Sequence, residues 1–345
     1  MTVDAAAAAG RKADADAPAI ELAGVDVVHT ARSGGLFRPD RVYALTAANF
    51  TVRRGETVGI VGESGCGKST LAKVLVGLQA PTNGTVRFRG APLGTGARAR
   101  REFGRAVSVI FQDPATALNP RMRVEEILRD ALDVHGIGVA GTRQARVREL
   151  LDLVGLPPSA VDVLPSQLSG GQRQRVAIAR ALALDPDVVV ADEPTSALDV
   201  SVRAQVLNLL IDLKARLGLG LVFISHDIQT VRYVADRIAV MYLGRIVEEG
   251  PAELVAGRPR HPYTKALFSA APRLLERTDR VVLSGPVPSA SHPPSGCPFR
   301  TRCWRATEAC ATRFPAATAD GGHRWHCIHP LDPDRPTTTT DQETL

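Results

Sequence analysis

Eight consecutive residues, Gly62-Glu63-Ser64-Gly65-Cys66-Gly67-Lys68-Ser69, fit the pattern G-x-x-x-x-G-K-[ST]. Glycines at these positions let successive backbone N–H groups turn inward around a phosphate, where side chains would obstruct them. Lys68 is placed to reach the β- and γ-phosphates of a nucleotide, and the Ser69 hydroxyl to ligate Mg2+. Thr70 completes the expected nucleotide-binding set. A second constellation, Asp192-Glu193, ends the apolar run Val188–Ala191. Asp192 can hold the Mg2+, directly or through water, and Glu193 can polarise an attacking water. Leu168-Ser169-Gly170-Gly171-Gln172 opens a helix with Ser169 as N-cap, which is a second anion site. One γ-phosphate does not need two such sites, so the second is expected to serve a partner's nucleotide. Finally, Cys297, Cys303, Cys310 and Cys327 cluster near the C-terminus, while Cys66 stands apart.

Each group needs an element to hold it. Val58–Val61 is an apolar strand before the glycine loop, and a helix is predicted over Ser69–Leu78. Val188–Ala191 and Leu221–Ser225 are continuous apolar runs, the mark of parallel strands buried on both faces. Between them Val202, Val206, Leu209, Leu210, Leu213 and Leu217 keep helical spacing, as in a βαβ crossover. Strand carboxyl ends are where an open α/β sheet presents its ligands. Further strands are predicted at Val25–His29, Phe50–Val52, Thr85–Phe88 and Val107–Phe111, with a helix over Gln172–Leu184. Ile238–Tyr242 and Arg245–Glu249 form a predicted hairpin about Leu243-Gly244.

Composition bounds the rest. With 345 residues, 44% hydrophobic and 23% charged, the chain is globular. No apolar run approaches the ~18 to 20 residues that cross a bilayer. The N-terminus lacks the basic-then-apolar layout of a signal peptide, so a cytoplasmic location is expected. The net charge of +6 is carried by 37 Arg against 5 Lys, and only Arg98–Arg105 concentrates it. With 4% aromatics there is little for base stacking, and no nucleic-acid partner is expected. Residues 1–18 and 336–345 have the composition of disordered tails, and composition shifts after Gly250. The expected division is a tail over 1–18, a catalytic unit over 19–250 and an extension over 251–335. There is no internal repeat.

In this combination and order, residues 20–250 resemble the ATP-binding cassette (ABC) transporter ATPases. LSGGQ at 168–172 is similar to that family's signature. Gln112 looks like its Q-loop, Ser196-Ala197-Leu198-Asp199 its D-loop, and His226 its switch histidine. The resemblance implies an α/β P-loop (RecA-like) core with an antiparallel β subdomain and a helical subdomain over about 112–180. It implies ATP and Mg2+ at Ser69, Gln112 and Asp192, with catalysis by Glu193, His226 and Gln112. Two cassettes would face each other head to tail, Ser169, Gly170, Gly171, Gln172 and Asp199 serving the shared sites. Tyr43 and Phe37 are both open as the aromatic on adenine.

Phe111-Gln112-Asp113-Pro114, Leu118-Asn119-Pro120-Arg121, His261-Pro262-Tyr263-Thr264 and the tail from Cys297 are similar to the oligopeptide and dipeptide permease ATPases. Ala117 departs from the serine usual there. The resemblance leans toward the second of two such ATPases, hence a heterodimer. It implies two separate transmembrane permeases, an extracytoplasmic binding protein and a place on the cytoplasmic face of the membrane. Alternatives are import of nickel chelates or another solute, and a soluble cassette ATPase of translation or DNA repair. The x5, x6 and x16 cysteine spacings differ from paired C-x2-C zinc knuckles, so a [4Fe–4S] cluster is expected at Cys297, Cys303, Cys310 and Cys327. Zn2+ is its alternative, with His323, His326 and His329 nearby. Arg300, Arg302 and Arg305 are expected to offset the thiolates.

Overall fold

In a computed structural model of the chain, residues 17–31, 40–270 and 281–332 are described. Phe37, the expected tail over 336–345 and all but the last two residues of that over 1–18 lie outside them. The strands are β1 (Ile20–Ala31), β2 (Asp40–Val52), β3 (Thr57–Val61), β4 (Asn83–Phe88), β5 (Ala91–Pro92) and β6 (Val107–Ile110). After the helical region come β7 (Val188–Asp192), β8 (Gly220–Ile224), β9 (Arg237–Tyr242), β10 (Arg245–Pro251), β11 (Thr318–Asp320) and β12 (His323–Trp325).

The apolar runs form the centre of an eight-stranded sheet in the order β11-β12-β10-β9-β3-β8-β7-β6. From β9 to β6 the pairs are parallel, and β10, β12 and β11 add antiparallel. Side chains alternate across this sheet, as the two-residue period of a strand requires. Val58, Ile60, Val188, Val190, Val222 and Ile224 enter one core, with Leu71 and Leu75 of the helix Lys68–Leu75. Val61, Val189, Ala191, Leu221 and Phe223 enter the other, with Val176 and Ile178 of the helix Gly170–Ala181. Burying each such side chain contributes roughly 1.5–3 kcal/mol. A four-stranded antiparallel sheet, β2-β1-β4-β5, covers the first core. Helices Val124–His135 and Ala140–Leu153 cover the second, through Leu128, Val147 and Leu150.

Several boundaries differ from the predicted ones for local reasons. Strand β1 begins at Ile20, since Ile20, Leu22, Val25 and Val27 all point into the core. The helix after the glycine loop ends at Leu75, because Gly77 takes φ 73°. Strand β6 stops at Ile110, which leaves Phe111 and Gln112 exposed beyond it.

Residues after 250 return to the main sheet, where Trp325 pairs with Glu248. The fully buried Glu248 carboxylate accepts hydrogen bonds from Arg260 N–H (2.7 Å) and His261 N–H (2.8 Å). His323 Nε2 lies 2.7 Å from the same carboxylate. A buried carboxylate is tolerable only with such partners.

Candidate functional site

Strand β3 delivers the glycine loop to its carboxyl end. Gly67 takes φ 108°, and a Cβ there would lie 2.4 Å from Ala44 O, so only glycine fits between the loop and β2. Gly67 is also the cap of the helix Lys68–Leu75 and offers no side chain, so the first-turn N–H groups stay open. Ser64 and Gly65 at the centre of the loop are exposed, as is Ser69. Lys68 is buried, and its Nζ donates to Gly62 O (2.8 Å) and Glu63 O (3.0 Å). Cys66 lies beneath the loop, its Sγ 3.9 Å from Lys68 Nζ, with burial pushing its thiol pKa up. Thr70 is half-buried in the first turn.

The acids of β7 stand against this loop. The Asp192 carboxyl neighbours the Ser69 hydroxyl, and burial, then the charge of Glu193, raise its pKa. Both groups supply the hard oxygen ligands that Mg2+ takes, so these residues fit the ion. Glu193 sits in left-handed backbone at φ 48°, uncommon for a residue with a side chain and a mark of functional sites. Its N–H donates to Ile224 O (2.9 Å), and its carbonyl accepts from Ser196 N–H (3.2 Å) and Ser196 Oγ (3.1 Å). This turn points the carboxylate outward, where Gln112 Nε2 donates to Oε2 at 3.1 Å. His226 Nδ1 lies 3.2 Å from Oε1. Three residues chosen from distant parts of the sequence thus meet on one carboxylate.

The second glycine pair lies elsewhere in the fold. Ser169 Oγ accepts from Gln172 N–H (3.2 Å), and Gln172 Oε1 accepts from Ser169 N–H (2.9 Å), a reciprocal cap. Gly170 begins the helix. Gly171 has a packing reason that the pattern does not reveal: a Cβ would lie 2.6 Å from Val202 Cγ1. Asp199 caps the next helix, Val200–Leu217, accepting from Val202 N–H (2.9 Å) and Ser201 Oγ (2.8 Å). Those bonds, Val202's first, lower its pKa. Tyr43 is half-buried and borders a cavity with Arg245, Ala290, Pro293 and Phe314; its N–H donates to Ala290 O (3.0 Å).

The cysteine expectation is overturned. Cys297, Cys303, Cys310 and Cys327 border one small cavity with His261 and Phe299. Among the described residues, however, no group of three or more His, Cys, Asp or Glu is arranged to hold a metal ion. Neither the [4Fe–4S] cluster nor its zinc alternative stands. Burial favours neutral thiols here: it raises the pKa of Cys297, pushes Cys303 up to about 11 and Cys327 up to about 12. Cys297 and Cys310 are part of the apolar core.

Nor does Arg302 face thiolates. Its guanidinium forks onto the Glu63 carboxylate, at 2.6 and 3.0 Å. Glu63 N–H donates to the Tyr263 hydroxyl at 2.8 Å. Tyr263 and Arg302 are the site contacts that sequence reasoning missed. His261-Pro262-Tyr263-Thr264 is recognisable as a motif, but nothing in it points to a loop 200 residues away.

Residues 45–196 match the family described as ABC transporter, and residues 247–310 the oligopeptide/dipeptide transporter, C-terminal region. The dipeptide transport ATP-binding protein DppF of Haemophilus influenzae is 46% identical over 301 residues, 86% of this chain and 92% of that one. Its namesake in Escherichia coli K12 is 46% identical over 298 residues, 85% and 89% of the two chains. The fold is similar to that of a dimeric ATP-binding cassette in a post-hydrolysis state bound to ADP and Pi. That likeness has a TM-score of 0.60 and 31% identity, over 68% of this chain and 98% of the other.

Proposed function

The chain belongs to the ABC transporter ATP-binding proteins, and from that premise we propose that it hydrolyses ATP to drive import of peptides or dipeptides through separate transmembrane permease subunits. Among the described residues no helix is long and apolar enough to cross a membrane. A nickel-chelate or other cargo and a soluble role in translation or repair are not favoured, since the relatives are named for dipeptide transport.

One observation carries the chemistry: the Glu193 carboxylate sits between Gln112 and His226, beside Asp192 and the loop. The loop N–H groups and Lys68 hold the β- and γ-phosphates. Ser69 and Asp192 would hold Mg2+, which neutralises phosphate charge when bound. Gln112 and His226 orient the attacking water, and Glu193 accepts its proton. Ser169 to Gln172 and Asp199 complete the site of a partner cassette, a heterodimer being the reading favoured by the wording of residues 63–70 and of Leu118-Asn119-Pro120-Arg121. An extracytoplasmic binding protein feeds the permeases, and the cassettes work at the cytoplasmic face of the membrane. Tyr43 is the described candidate for stacking on adenine. The division is a catalytic unit over 19–250 and a cysteine-rich extension over 251–335. The test is Glu193→Gln in the assembled transporter: ATP binding should persist while turnover falls at least ~10²-fold. Hydrolysis at the wild-type rate would remove Glu193 from the mechanism.

A further inference from the structure

The C-terminal segment reaches the phosphate loop at one residue, from two directions. Tyr263 belongs to the helix Pro262–Ser269, whose start is tied to the main sheet by Glu248. Arg302 follows a short turn, Pro298–Thr301, that buries Phe299 completely. The rings of Tyr242, Tyr263 and Phe299 lie 4.7 to 5.3 Å apart, all fully buried, and form a platform between strand β9 and the segment. Arg302 also reaches Tyr242 Oη at 3.4 Å.

We propose that Arg302 and Tyr263 are positioning residues of the phosphate loop: they hold Glu63 and thereby set the nucleotide affinity of a site to which they contribute no contact. This rests on the loop being the nucleotide site. Two physical effects support it. The first is geometric. The Tyr263 hydroxyl accepts the Glu63 N–H while Lys68 Nζ bonds the Glu63 carbonyl, so the peptide groups on both sides of Glu63 are fixed. The second is electrostatic. Glu63 is half-buried at the mouth of a loop built for phosphate, and an unpaired carboxylate there would repel the nucleotide. The Arg302 side chain, 7% exposed, pairs with that charge through two parallel bonds.

The experiment measures MgADP affinity of the full-length chain by calorimetry, with thermal unfolding alongside. Arg302→Met should weaken MgADP about tenfold or more, because it leaves the Glu63 charge unpaired. Adding Glu63→Gln to Arg302→Met should recover most of that loss, since the repelling charge is gone. Arg302→Lys should weaken it about threefold, keeping charge without the fork. Tyr263→Phe, which keeps the ring platform, should weaken it about fivefold. In the assembled transporter these losses should raise KM for ATP more than they lower kcat. A folded Arg302→Met chain with wild-type affinity, or no recovery with Glu63→Gln, would overturn the proposal. Should Arg302→Met not fold, wild-type affinity in both Arg302→Lys and Tyr263→Phe would do the same. Lys68→Ala separates the two readings: undiminished MgADP binding there would instead refute the loop as the nucleotide site.

Discussion

At the scale of single residues, Asp192 carries a pH signature. Burial and the neighbouring Glu193 raise its pKa above the ordinary carboxylate value of about 4. A folded-state pKa above the unfolded one means that its stabilising contribution is full below the unfolded pKa and is lost as pH rises through the folded one. Asp192→Asn should therefore unfold at a higher temperature than wild type at pH 7.5, by on the order of 2 °C, with the gain vanishing near pH 4. Differential scanning calorimetry at the two pH values checks this. The same variant should lose Mg2+-dependent nucleotide binding, so stability and function move in opposite directions. The sequence made Asp192 and Glu193 legible because they end an apolar run. It could not reveal the left-handed turn at Glu193, which depends on Ile224 and Ser196 holding that peptide.

At the scale of elements, the helices Gly170–Ala181 and Val200–Leu217 approach so closely that Gly171 has no room for a methyl group beside Val202. Gly171→Ala should overpack this contact and cost about 1–3 kcal/mol. Adding Val202→Ala should return part of that stability, and urea unfolding of the wild type and both variants measures it. Ser169→Ala removes the reciprocal cap and should cost about 1 kcal/mol in the same assay. The central strands and the hairpin of β9 and β10 were readable from apolar runs of four or five residues and a Leu-Gly turn. Strands β5, β11 and β12 were not. Two or three residues show no period, and Trp325 finds its place only by pairing with Glu248 far back in the chain. The four cysteines misled for a related reason: spacing fixes neither the direction of a thiol nor its burial.

At the scale of the molecule, the C-terminal segment and the nucleotide core share one sheet and one buried charge. His323→Ala would leave Glu248 with one polar partner fewer and should destabilise the chain by roughly 1–3 kcal/mol, read as a lower midpoint in thermal unfolding. A second expectation concerns assembly. On the proposed reading, in which Ser169 and the phosphate loop serve different nucleotides, the isolated chain should hydrolyse ATP weakly. Activity should rise with its partner cassette, as followed by phosphate release at increasing partner concentration.

The order of the main sheet also sets a timetable for synthesis. Strand β3, which carries the phosphate loop, lies between β8 and β9, both made after it. Its neighbours Leu221–Ile224 and Arg237–Val240 leave the ribosome long after Thr57–Val61. At about 5–20 residues per second, that delay is on the order of 10–35 seconds. Throughout it a strand that is wholly buried in the fold, and apolar but for Thr57, waits without its sheet partners, so the nascent chain is a natural client for chaperones.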